Sequence, residues 1–395
     1  MTTIRVDGGS VRTAQRVGNL PVSGLAGLLR GGLAGMVDLA TGTPAAPQPP
    51  PALLEQACAA LRAGVNQYAN LIGNPELRGQ IAGSLGTPAD PDTEITVTIG
   101  ATEALTVALL ATVDPGDEVI VFEPFFDNFL GAIALAGGRP RFVQMRAPDW
   151  RFDAEELAAA FGPRTKAILL NTPNNPTGKM LDRGEAELIA QLCEKWNVTV
   201  VSDEVYAAYT FDGRAHLSVS DVPALARRSI VLGSFSKSHA ISGWRVGYLR
   251  ADPLVSQTLR QVHVSVCGSA AAPLQHAIAA AGVLSGETWN PAADMQRLRD
   301  RAAGIFSDLG LDCGTTEGGC YVMADLSTAT DTDSAGFADL LRTQAKVMIA
   351  PGTFFYADPR DGARFVRIAF NKSPHTLDEA QNRLRQVASR AGRES

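Results

Sequence analysis

Through the middle of the chain, short apolar runs alternate with helix-patterned segments, and every run ends in a polar or glycine-rich turn. The runs occupy residues 95–99, 119–122, 167–170, 198–201 and 230–232, with helical patterns between them at 103–112 and 184–196. Runs this short, rich in β-branched residues and apolar throughout, fit strands buried on both faces. Their alternation with helices predicts an α/β fold: a mostly parallel sheet sandwiched by helices. In open sheets of this kind ligands bind outside the carboxyl ends of the strands, so the turns at 100–102, 123–127, 171–178, 202–204 and 234–237 are expected to form one site.

At 395 residues, 45% apolar and 19% charged, the chain has the size and composition of a globular protein with two sub-domains. No segment has the length of a membrane span, and the first residues lack the basic-then-apolar order of a secretory signal, so a cytoplasmic location is expected. The five cysteines, Cys58, Cys193, Cys267, Cys313 and Cys320, show no C-x-x-C spacing, which argues against a disulfide framework and against a metal site. A net charge of −6 without a long basic run argues against nucleic acid and leaves a small molecule as the expected partner.

The turn after the run at 230–232 holds Lys237 between hydroxyls and glycines. An amine at the end of a buried strand attacks a carbonyl only when neutral, and burial beside an arginine favours that form. Ser234, Ser236 and Arg245 supply hydroxyls and a bidentate cation for a phosphate. Alone, an S-x-S-K stretch is more often a solvated loop. Asp203, 34 residues earlier, is a carboxylate able to keep a pyridine nitrogen protonated, although by itself it reads equally as a helix N-cap. Asn175, in the rigid amide-rich turn at 171–178, and Tyr206 are two donors suited to a ring phenolate oxygen. The turn carrying Ala101 and Thr102 opens a helix, where backbone amides favour an anion. Phe126 is placed to stack on a planar ring or to pack in the core. Near the C-terminus Arg364 and Arg367 alternate along a strand, and surface exposure is the expectation for a lone strand arginine.

Together these residues resemble the pyridoxal-phosphate-dependent aminotransferases of fold type I, classes I and II, from about Asp38 to Leu384. The similarity is closest to the branch of kynurenine and methionine aminotransferases. It is carried by Asn66-Gln67-Tyr68 with Gly73 and Leu77-Arg78, by Glu123-Pro124-Phe125-Phe126-Asp127, by Asn174-Asn175-Pro176-Thr177-Gly178-Lys179 and by Ser234-Phe235-Ser236-Lys237. The resemblance implies that Lys237 forms the Schiff base to pyridoxal 5'-phosphate, that Asp203 pairs with the pyridine nitrogen, and that Asn175 and Tyr206 contact the ring oxygen. Phe126 would stack on the ring, and Ala101, Thr102, Ser234 and Arg245 would hold the phosphate. Tyr68 would reach the phosphate of a neighbouring subunit, which implies a homodimer with shared sites. Arg367 and the backbone of Gly42 would take an α-carboxylate, so the substrates would be an α-amino acid and a 2-oxo acid. The implied layout is a large cofactor-binding domain over 45–288 and a smaller α+β domain built from 1–44 and 289–395.

The expected activity is amino transfer. The same residues would also serve a lyase or oxidase acting on an amino acid. A non-catalytic ligand-binding protein of this fold is a third reading, weakened by the absence of a helix-turn-helix or basic patch. Two departures bear on the substrate: Thr43-Pro44-Ala45-Ala46-Pro47 replaces an aromatic-containing loop, and Gly268-Ser269-Ala270-Ala271-Ala272 carries small residues where relatives often have an aromatic. Both predict a pocket less suited to aromatic side chains.

Overall fold

The structure, a computed structural model, describes residues 3–6, 9–12, 14–18, 20–21, 24–30, 32, 34–285 and 288–394. Its main sheet has eight strands in the order Ile95–Thr98, Gly247–Ala251, Ser229–Ser234, Thr199–Asp203, Thr165–Asn171, Glu118–Glu123, Arg139–Arg146 and Arg151–Phe152. The five strands from Ser229–Ser234 to Arg139–Arg146 pair in parallel, and Gly247–Ala251 runs antiparallel to both of its neighbours. The strands Glu118–Glu123 and Ser229–Ser234 are buried throughout.

The period of two sorts the strand residues between two helical layers. Val119, Val121, Ala167 and Leu169 pack with Leu105, Ile133 and Leu259 on one face. Ile120, Phe122, Ile168 and Leu170 pack with Leu157, Ile189 and Leu225 on the other. Each fully buried Leu, Ile or Val contributes about 1.5–3 kcal/mol, so neither face tolerates a one-residue slip of register. The helix Arg183–Trp196 starts at a capping box, with Asp182 and Glu185 each accepting from the other's backbone, and stops at Asn197 in the left-handed region.

Three of the eight strands carry no signal of the kind used above, the two-residue Arg151–Phe152 among them. Arg139–Arg146 exposes Arg139, Arg141 and Arg146, buries only Val143 and Met145 fully, and holds no apolar run of the length seen in the strands expected from sequence. Gly247–Ala251 begins two residues after Arg245 and so merges in sequence with the Lys237 turn. The sheet is consequently mixed at one side.

A second sheet pairs Tyr321–Asp325 antiparallel with Phe365–Ala369, which pairs in turn with Ala350–Pro351. Val37–Asp38 lies parallel to Val347–Met348, and Val37 and Leu39 join Phe306, Ile368 and Leu377 in one core. The segment 334–345 is α-helical over Ser334–Leu340 and then widens to a π-turn over Leu341–Ala345. The proline-rich stretch 44–50 is irregular, and Pro51 opens the helix Pro51–Arg62. Of the boundary expected near 286–291, Gly286 and Glu287 lie outside the described residues. Among the described residues no helix is long and apolar enough to cross a membrane.

Candidate active site

A cavity of about 290 Å³ opens at the carboxyl ends of the parallel strands, where the two sheets meet. The short helix Phe235–Ser238 brings Lys237 into it, and Asp203 enters as the last residue of its strand. Gly42, Ala101, Thr102, Phe126, Asn175, Tyr206, Ser234, Arg245 and Arg367 also line it. Tyr68 does not: it is 98% exposed on this chain.

The Lys237 amine donates to the carbonyl of Gly42 at 2.6 Å, and its own backbone carbonyl accepts from the Tyr209 hydroxyl at 2.5 Å. Burial lowers its pKa from lysine's ordinary value, and the charges of Arg367, Lys372 and Arg245 add to that. This favours the neutral amine that a nucleophile or base must be. Burial also pushes Asp203 up to about 7, helped by the neighbouring charge of Glu204, while the Val205 N–H at 3.2 Å opposes it. The Lys237 charge opposes it as well, and a buried carboxyl raised in this way is suited to a cationic N–H on a ligand. Burial holds the Tyr206 hydroxyl protonated, as a donor, and its ring meets Tyr321 edge-on at 6.1 Å.

The anion end of the cavity is built by close backbone approach. Gly100 has φ +71, and a Cβ there would meet Nη2 of Arg245 at 2.7 Å, so only glycine lets the guanidinium lie against the first turn of Gly100–Thr112. Arg245 is itself left-handed at φ 55 and donates to the Ser242 carbonyl at 3.1 Å and the Ser236 hydroxyl at 3.4 Å. A guanidinium has five donors, so these bonds leave capacity for an anion beside the helix N-terminus.

At the opposite end Arg367 is 1% exposed, which corrects the expectation of a surface arginine; Arg364 is the exposed one, paired with Asp325. Nη1 of Arg367 donates to Oδ1 of Asn175 at 2.9 Å and its Nη2 to the Ala40 carbonyl at 2.6 Å. The guanidinium lies over the rings of Tyr321, at 4.1 Å, and Phe355, at 4.6 Å. Its buried Nε has no hydrogen-bond partner among the described residues. A buried cation with a spare donor calls for an anionic ligand, because leaving it unpaired costs several kcal/mol.

Tyr321, Phe355 and Tyr209 escaped the sequence reading because they belong to the small sheet, its flank or a strand-end turn, and touch the site only through tertiary packing. The available signal was the alternation around Tyr321, on the strand paired with that of Arg367.

An anion cradle, a buried carboxyl, two neutral donors, an aromatic face and a depressed lysine fit pyridoxal phosphate in charge and donor type. The family model described as "Aminotransferase class I and II" matches residues 34–384. The chain is 35% identical over 329 residues to the methionine aminotransferase of Escherichia coli K12, covering 82% of this chain and 85% of that protein. It is 34% identical over 357 residues to kynurenine–oxoglutarate transaminase 1 of Rattus norvegicus, covering 81% and 84%. The solved N-succinyldiaminopimelate aminotransferase of Mycobacterium tuberculosis superposes with a TM-score of 0.88 at 32% identity, over 94% of this chain and 99% of that one. Those names differ in substrate and agree in reaction, and with the cavity described here they make this chain a member of the class I and II aminotransferases, a pyridoxal-phosphate-dependent transferase.

Proposed function

We propose that the protein moves an amino group from an α-amino acid to a 2-oxo acid, with Lys237 as both the anchor of the cofactor and the proton carrier. Bound pyridoxal phosphate supplies an electrophilic carbon for the substrate nitrogen and a ring that draws electrons from the substrate α-carbon. Asp203 would hold a proton on the pyridine nitrogen, and Tyr206 and Asn175 would donate to the ring oxygen. Phe126 would cover one ring face, while Ala101, Thr102, Ser234 and Arg245 would hold the phosphate. Lys237, whose neutral form burial favours, would take the proton from the α-carbon and return it one position away.

The observation that carries the reading is Arg367: a buried guanidinium with a free Nε in the same cavity as the Lys237 amine. That pairing suits a molecule bearing a carboxylate next to its reacting carbon. Thr43 and Asn128 line the cavity alongside the aromatic Phe126, Tyr206 and Tyr321, and this polar stretch of wall supports a donor with a polar side chain. A homodimer is proposed on the exposed Tyr68 together with Leu54, Leu61, Leu71, Val264 and Val266, large apolar groups left uncovered on one chain. The division into 45–288 and a small domain of 1–44 with 289–395 is likewise proposed, supported by the core that Val37 and Leu39 share with C-terminal residues.

The test mixes purified holoenzyme with each of a panel of amino acids, without a keto acid, and follows cofactor absorbance. Amination of the cofactor with equimolar release of the matching 2-oxo acid is expected for the true donor. Oxygen uptake, or ammonia release without cofactor amination, overturns the proposal.

A further inference from the structure

Behind the phosphate-binding turn lies a buried group that the reaction does not use. His263, on the helix Pro253–Val266, is fully buried. Its Nδ1 lies 2.9 Å from Oε1 of Glu103, and its Nε2 lies 2.9 Å from the carbonyl of Leu71. Glu103 sits in the first turn of Gly100–Thr112, directly after Thr102, and its Oε2 accepts the backbone N–H of Ile99 at 3.0 Å. One carboxylate therefore closes the start of the helix that presents Gly100, Ala101 and Thr102 to the cavity.

The bonds fix the charge of this pair. A carbonyl only accepts, so Nε2 carries a proton for Leu71. The contact between Nδ1 and Oε1 needs a second proton, and whichever atom holds it, His263 and Glu103 together carry no net charge. The third neighbour, Cys267, has its Sγ 3.5 Å from Nδ1, and burial with the nearby Glu103 pushes its thiol up to about 12, so it stays neutral as well.

We propose that His263 is a positioning residue for the cofactor phosphate: it neutralises and aims Glu103, so that the Gly100–Thr112 helix start meets an anion without a competing negative charge. This rests on the reading that the turn at 100–102 holds that phosphate. A lone carboxylate in the first turn would occupy the positive helix end and repel a phosphate dianion across a low-dielectric wall. With His263 in place Glu103 still orders Ile99, and the helix end is left to the ligand. The same histidine ties in Leu71, three residues after Tyr68, and so braces the segment proposed to reach a partner subunit.

The test compares apoenzyme binding of pyridoxal phosphate with that of pyridoxal, which lacks the phosphate, by titration of protein fluorescence. The ratio of the two affinities isolates the phosphate contribution and does not require turnover. Wild type is expected to favour the phosphorylated ligand strongly. His263→Asn is expected to lower the ratio about tenfold or more, by exposing the phosphate to an uncompensated Glu103, with pyridoxal affinity nearly unchanged. His263→Asn combined with Glu103→Gln is expected to recover most of the ratio. Glu103→Gln alone, which keeps an acceptor for Ile99, is expected to hold the ratio within about threefold, and this variant serves should His263→Asn not fold. Equal weakening of both ligands, an unchanged ratio in His263→Asn, or a tenfold loss in Glu103→Gln overturns the proposal. If wild type itself does not discriminate between the ligands, the phosphate reading of the 100–102 turn fails and the inference falls with it. Glu103, His263 and Cys267 each offer a ligand atom, all within 4.8 Å of one another. A bound metal would displace the shared proton, so a phosphate preference lost on dialysis against a chelator also overturns the proposal.

Discussion

Arg367 and Asn175, 192 residues apart in the chain, meet through a 2.9 Å hydrogen bond from Nη1 to Oδ1. The bond links the small sheet to the turn after a strand of the large one, so the proposed carboxylate clamp and a proposed cofactor-ring contact share one polar network. Asn175 is held from behind by its backbone N–H, which donates to Oδ1 of Asn171 at 2.6 Å. Lysine in place of Arg367 keeps the charge but cannot bond Asn175, Ala40 and a carboxylate in one plane, and it loses the stack between Tyr321 and Phe355. In Arg367→Lys the KM for the amino acid is expected to rise on the order of 100-fold, with cofactor affinity changed less than about threefold. Steady-state kinetics and a cofactor titration on the same preparation check both.

Asp203 gives the apoprotein a specific pH dependence. Its folded pKa is raised to about 7 from an ordinary 3.8, so the folded chain binds that proton more tightly than the unfolded chain does. The associated stability is present in full below about pH 4 and is lost as pH rises through about 7, an effect on the order of a few kcal/mol. Thermal melts of apoprotein across that window should show a loss that is absent in Asp203→Asn. The loss should shrink in the holoenzyme, where the proposed contact with a pyridine N–H would favour the ionised carboxylate. Identical profiles for wild type and Asp203→Asn apoproteins would remove Asp203 as the cause.

Gly42 is fixed by the ring it faces. A Cβ at this position would collide with the Tyr321 hydroxyl and approach Cζ at 2.8 Å, while the Gly42 carbonyl accepts from Lys237 and, at 3.0 Å, from Asn371. Gly42→Ala must therefore displace the loop or the tyrosine beneath Arg367, and overpacking of this kind costs about 1–3 kcal/mol. A fall in kcat/KM of at least about tenfold is expected, with Tyr321→Phe, which keeps the aromatic stack, much closer to wild type. Kinetics of the two variants at equal cofactor saturation separate steric displacement from loss of the hydroxyl.

The sheet was legible because strands such as 119–122 and 230–232 are apolar on both faces, and a buried parallel strand leaves that signature without reference to the rest of the chain. The convergence of Lys237, Asp203 and Asn175 followed from the rule that strand ends share a crevice. Arg139–Arg146 was silent because Arg139, Arg141 and Arg146 meet water and only Val143 and Met145 are fully buried. The burial of Arg367 could not be read from its strand, since Tyr321, Phe355, Ala40 and Asn175 arrive from four separate segments. Local pattern reports on the backbone ladder, whereas the environment of a single polar side chain is a tertiary fact.

Tyr68 permits a test of shared sites. Its ring is 98% exposed here, on a segment braced by Asn70, whose side chain accepts from Ile72 at 3.1 Å, and by His263 at Leu71. If it reaches the phosphate end of a partner's cavity, a site needs Lys237 from one subunit and Tyr68 from the other. Tyr68→Ala is expected to weaken cofactor binding, and Lys237→Ala to abolish amino transfer. Refolding the two variants together produces mixed dimers in which one site has both wild-type residues, so activity should rise above either parent alone. Activity that stays at the sum of the separated parents would place Tyr68 and Lys237 in the same site of one chain, or outside any common site.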